Sequence, residues 1–144
     1  GSVTASDLQA KTVSIHADSG SISLNGLTAE KLKVSADSGS IKGSGIRADS
    51  LIDADSGSIK LERLSGPARI QSDSGSVKIY KEDTSDLEIR ADSGSVYVSL
   101  PRSFAGSFDL KADSGSIHAP EAKRETKDLV KVRTDSGSIR IEQE

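Results

Sequence analysis

A single all-β solenoid (a β-helix) is predicted by three observations. A tetrapeptide recurs seven times, apolar columns line up on it, and large apolar groups are too scarce for an irregular core. The tetrapeptide Asp-Ser-Gly-Ser begins at Asp18, Asp37, Asp55, Asp73, Asp92, Asp113 and Asp135, at spacings of 19, 18, 18, 19, 21 and 22 residues. A fixed period near 20 residues is the mark of a stacked array, here about seven coils of 18–22 residues with two parallel sheets. The 144 residues are only 3% aromatic and 33% hydrophobic, which is little with which to offset the entropy of ordering a globule. A repeat meets this difficulty by stacking small apolar residues on their own copies, so that each coil buries the next. Gly1-Ser2 stands where Met is usual and is read as a cloning scar, leaving residues 3–144 as one domain.

The strands follow from the columns. Four residues after each Asp stand Ile22, Ile41, Ile59, Val77, Val96, Ile117 and Ile139, all β-branched and suited to strand. Three residues before it stand Ile15, Val34, Ile52, Ile70, Ile89, Leu110 and Val132, and one before it Ala17, Ala36, Ala54, Ser72, Ala91, Ala112 and Thr134. Looser columns lie five before (Val13, Leu32, Leu87, Phe108, Val130) and six after (Leu24, Leu61, Ile79, Val98, Ile141), with Gly43 and Ala119 as weak members. Apolar residues alternating with polar ones give the period of two of a half-buried strand. Each repeat therefore reads as strand, sharp turn, strand and variable return. Propeller blades need repeats about twice this length.

The turn itself has a local explanation. Gly20, Gly39, Gly57, Gly75, Gly94, Gly115 and Gly137 supply positive φ, while the preceding Asp is expected to accept a bond from the N–H two residues on. The flanking serines are expected to ladder with one another. In-register carboxylates about 5 Å apart repel by about 1 kcal/mol per pair in water, which these bonds must offset. The alternative is a calcium-stabilised β-roll. Calcium takes six to eight oxygens, one Asp per coil is a thin supply, and the Gly-Gly-containing nonapeptide is missing. No metal site or cofactor is assigned.

Repeats of the form x-Val-x-Ala-Asp-Ser-Gly-Ser-Ile-x-Val resemble bacterial adhesin-like β-strand-repeat domains of unknown function, across all seven copies from about Val3 to Ile141. The resemblance implies a β-solenoid in a bacterial protein associated with the cell envelope or surface, in some members with envelope stress. It carries over no catalytic residues.

Binding candidates come from the outward columns. Five residues after each Asp run Ser23, Lys42, Lys60, Lys78, Tyr97, His118 and Arg140. Lys42, Lys60 and Lys78 should form a basic stripe, extended by Arg140, able to hold an anionic polymer or an anionic membrane surface peripherally. A solvated face whose lysines discourage aggregation is the plainer account. A second outward column holds Arg90, Lys111 and Arg133. The longest returns, 99–107 and 120–128, carry Arg102 and Phe104 and the run Glu121-Ala122-Lys123-Arg124-Glu125. Phe104 is read as an exposed anchor or as a clip over the core beside Phe108.

Other classes are set aside. Net charge is −3, which does not point to nucleic acid, and cysteine is lacking, so disulfides and thiolate sites are out. No apolar run approaches a membrane span. His16 and His118 fall in outward columns on different strands, and no Gly-x-Ser-x-Gly elbow occurs, so no enzyme is expected. Asp18 to Ser23 fits an acidic degron pattern, which the repeat produces anyway. Thr-x-Thr rows for ice binding do not occur. The expectation is a non-enzymatic binding module whose partner is a protein or an anionic envelope component. The alternative is a scaffold that self-associates, or docks a neighbouring domain, through solenoid ends that show no polar cap.

Overall fold

Every strand among the described residues begins or ends at one of the repeated turns. The computed structural model describes residues 2–121 and 123–143; Gly1 of the expected scar and Ala122 of the second long return lie outside the described residues. The strands are β1 (Val3–Ser19), β2 (Ile22–Ser38), β3 (Ile41–Ser56), β4 (Ile59–Ser65), β5 (Ala68–Ser74) and β6 (Val77–Lys81). They continue as β7 (Leu87–Ser93), β8 (Val96–Leu100), β9 (Ser107–Ser114), β10 (Ile117–His118), β11 (Leu129–Ser136) and β12 (Ile139–Gln143). All pairings are parallel, and the chain is a β-solenoid of about seven turns.

One face is built from the segments that follow the turns and the other from those that precede them. Each apolar column becomes a ladder through the core. Ile22 pairs with Ile41, Ile41 with Ile59, Ile59 with Val77 and Val77 with Val96. All five are at most 1% exposed. In β1, β2 and β3 the pairing runs on from one face to the other, so the faces belong to one continuous sheet.

The join between faces breaks the period of two. Leu24 and Leu27 are both buried although three residues apart. Asp7, Gly26, Gly45 and Arg63 occupy this corner in successive coils with φ between 49° and 65°, a left-handed step that swings the next residue inward. Leu27, Ile46 and Leu64 then line a narrow third side. This column recurs in the sequence directly after the corner residue, but the strict alternation rule passes over it. The weak member Gly43 is also explained here. A Cβ on it would lie 2.4 Å from Cδ1 of Ile46 and 2.8 Å from Cδ2 of Leu61, which already fill that space.

The coils do not stack in the order in which they are made. β11 lies between β7 and β9, and β12 lies between β8 and β10. After β8 the chain steps past one rung, lays down β9 and β10 at the far end, and returns so that its last strands fill the gap. Because the rungs present closely similar columns, the columns alone do not dictate this order, and the returns carry it. The two long returns bond to each other through Arg124 N–H to Gly106 O (3.1 Å) and Thr126 N–H to Ala105 O (3.0 Å). The Gln143 amide donates to the carbonyls of Pro101, Arg102 and Phe104 at 3.2, 3.2 and 2.7 Å.

Two expectations about the turns need correction. The turn glycines have φ between 127° and 138°, but their N–H groups do not bond to the Asp carboxylates. Gly20, Gly39, Gly57, Gly75, Gly94 and Gly137 each donate to a Ser carbonyl of the adjacent rung at 3.0–3.2 Å, as Gly20 does to Ser38. Five of the serines turn their hydroxyls to backbone rather than to one another. Ser38, Ser56, Ser74, Ser93 and Ser114 send Oγ–H to the turn Asp carbonyl of a neighbouring rung at 3.3–3.5 Å. Backbone stacking takes the donors, and the carboxylates are left in solvent.

Glycine is required here by contact as well as by φ. A Cβ on Gly75 would lie 2.1 Å from the carbonyl oxygen of Gly57, whereas one on Gly45 meets nothing nearer than 3.7 Å. Gly75→Ala should therefore destabilise the domain by about 3 kcal/mol or more, and Gly45→Ala by only about 1 kcal/mol. Urea denaturation of the two variants checks this, and equal losses would show that backbone angle alone governs the turn.

Candidate functional site

Outward positions on the first face form the most continuous charged feature. In rung order they run Ser23, Lys42, Lys60, Lys78, Tyr97, Arg140 and His118, each paired in register with the next. The exchange of the last coils sets Arg140 beside Tyr97 and moves His118 to the end. Rungs of a parallel sheet are about 4.8 Å apart, so the ammonium groups of Lys42, Lys60 and Lys78 stand one per rung. All three lysines are exposed and line a shallow hollow of about 380 Å³ with Ser40, Ser58 and Ser76.

A partner column two residues on tempers this charge. Lys60 pairs with Glu62 at 3.4 Å, and Arg140 with Glu142 at 2.8 Å. Lys42 and Lys78 have no ion pair among the described residues. Tyr97 donates to Glu142 Oε2 at 2.7 Å, and its ring lies 5.8 Å from that of Tyr80 at an angle of 52°. That hydrogen bond, with partial burial, holds the Tyr97 phenol above its usual range. The same bond, assisted by Arg140, holds the Glu142 carboxyl low against the opposing effect of desolvation.

The other candidates fall elsewhere. Arg102 is exposed on the return after β8, outside the cation row. Phe104 is not an exposed anchor: it is 2% exposed and stacks on Phe108 with centroids 5.6 Å apart. It closes the core where the chain steps over a rung. Arg90, Arg133 and Lys111 lie in register on consecutive rungs of the second face, beside Asp92, Asp135 and Asp113.

The turn carboxylates do not gather into a cage. Among the described residues one group of three has ligand atoms within 4.8 Å of one another, namely His16, Asp18 and Asp37, all exposed. His16 Nε2 already contacts Asp18 at 2.9 Å. Three groups at the surface fall short of the oxygens calcium takes. Beside them, burial and then the neighbouring Asp55, Asp73 and Asp37 carboxylates push the Asp53 carboxyl above its usual range.

Two features were not foreseen. On the second face a groove of about 470 Å³ is lined by Leu51, Pro67, Arg69, Glu88, Leu129 and Lys131 among others, with Leu51 43% and Leu129 37% exposed. On the third side Lys81 stands opposite Leu64, its side chain fully buried. Its ammonium donates to Gly66 O at 2.7 Å and meets Asp83 at 2.9 Å. Lys81 stands eight residues after its turn Asp, where Leu27, Ile46 and Leu64 stand nine after theirs, and a register shift brings it opposite Leu64, so offset counting passes over it. Burial lowers the Lys81 ammonium, opposed by Asp83. Burial would raise the Asp83 carboxyl, but bonds from Ser85 and Gly66 and the Lys81 charge outweigh it and hold it low.

These features define a parallel β-solenoid repeat domain with a cationic row along one face. The chain belongs to the Toastrack DUF4097 family, a domain of unknown function, whose model matches residues 1–142. No curated protein and no solved structure matches it.

The two shifted aspartates predict opposite pH effects. Asp83 is held low in the fold, so its contribution is complete above about pH 4 and is lost as pH falls through its folded value. Asp53 is raised, so its penalty at neutral pH is relieved on acidification. Asp83→Asn should melt lower at neutral pH and lose part of the acid decline, while Asp53→Asn should melt higher at neutral pH. Melting temperatures from neutral pH to about pH 2 check both signs.

Proposed function

We propose that the domain is a non-enzymatic binding module of the bacterial cell envelope or surface, holding an anionic envelope component along the Lys42–Lys60–Lys78 row. The observation that carries this reading is the register. Three lysines on consecutive rungs face solvent, and Arg140 continues the row beyond Tyr97. Evenly spaced cations suit a polyanion, because each contact is weak and the whole is additive along the axis. A shallow charged surface suits holding rather than bond-breaking, which calls for a deeper enclosure. The resemblance to envelope-associated repeat domains supports the compartment.

A second reading, a scaffold that docks through its ends, is favoured by one observation. The terminal rung leaves Ile117 43% exposed, with Phe108, Leu110 and Ala112 only partly covered.

Binding to phosphatidylglycerol vesicles and to envelope fractions at low and high salt separates the two. The wild-type domain should bind at low salt and release at high salt. The triple variant Lys42→Gln, Lys60→Gln, Lys78→Gln should bind at least about tenfold more weakly. Undiminished binding by the variant would remove the row from the function, and no binding by the wild type would favour the ends.

A further inference from the structure

Resting on that reading, we propose that the anionic component is an acidic polysaccharide, held by the cation row together with the Tyr80–Tyr97 pair. Tyr97 occupies the row itself, between Lys78 and Arg140 in register, and Tyr80 lies one outward column away with its ring 5.8 Å distant. Both rings are half-exposed. Sugar rings offer C–H faces that settle on the electron-rich face of an aromatic ring. A polyphosphate chain has no such face, and the acyclic headgroup of phosphatidylglycerol presents charge without a ring.

The spacing of the free cations points the same way. Lys60 is engaged by Glu62 at 3.4 Å, so the cations without an ion pair, Lys42 and Lys78, are two rungs apart. Two rungs are about 9.6 Å, the length of a disaccharide bearing one carboxylate per repeat. Ser40, Ser58 and Ser76 line the same hollow, and their hydroxyls bond to no other described group, which leaves them for sugar hydroxyls. Charge, ring and hydroxyl thus occur together along one axis.

The chain has two tyrosines and no tryptophan, so its ultraviolet emission reports on this face alone. The domain would be titrated with a hyaluronan oligosaccharide, which carries one carboxylate per disaccharide. Parallel titrations would use a neutral chito-oligosaccharide, inorganic polyphosphate and phosphatidylglycerol vesicles. The hyaluronan probe should change tyrosine emission saturably. Calorimetry should show Tyr80→Thr and Tyr97→Thr each weakening it at least about fivefold, and Tyr80→Phe retaining affinity, while polyphosphate binding changes less than about twofold. Thr keeps strand preference, and a melting curve for each variant establishes that it is folded. Lysine-dependent binding of polyphosphate or vesicles without hyaluronan would overturn the glycan and leave the row standing. Equal losses for hyaluronan and polyphosphate in the tyrosine variants would overturn it too. Failure of every polyanion to bind would overturn both the glycan and the row.

Discussion

At the corner that closes each coil, glycine stands on glycine. The carbonyl oxygen of one sits 1.9–2.1 Å from where a Cβ on the next would be, and the N–H of six of the seven reaches a carbonyl of the adjacent rung. This contact brings successive coils to sheet spacing at the tightest point of the path. The strands on either side inherit their register from it. The β-branched ladder can stack Ile on Ile only because the corner fixes where each strand starts, and the outward rows stay straight for the same reason. The carboxylates beside the glycines are bystanders to this geometry, a cost in repulsion that solvent screens.

That division explains what could be read from the chain. The repeat length, the parallel strands and the inward columns were legible because each depends on one residue type at one offset, repeated. The column beginning at Leu27 was hidden, because the left-handed step at Gly26 shifts the phase and alternation counts fail across it. Lys81 was hidden more deeply. Its burial depends on Gly66 and Asp83, which come together only when two returns pack. The bonding at the turn was misassigned because a local rule for Asp competes with a stacking rule that applies only once neighbouring rungs are present.

The cation row was legible as a set of residues but not as an order. The columns are alike from rung to rung, so their repetition does not record which coil lies beside which. That information resides in the irregular segments, in Gln143 reaching three carbonyls of one return and in the backbone bonds between the two returns. Phe104 belongs with them. A bulky ring inside the step-over occupies core space that an ordinary rung would fill with a strand residue.

The exchanged rungs change how this array comes apart. A linear repeat protein frays from its last unit, because that unit has one neighbour. Here β11 and β12 have a neighbour on each side, and the unit with one neighbour, β9 and β10, precedes them in the chain. In the folded stack β9 pairs with β11 and β10 with β12, so their place at the end exists only once those later strands are laid down. The carboxyl end of the described chain is thereby clamped in the interior of the stack. Unzipping from that side has to begin with β9 and β10, and only their release uncovers the rung that β11 and β12 form.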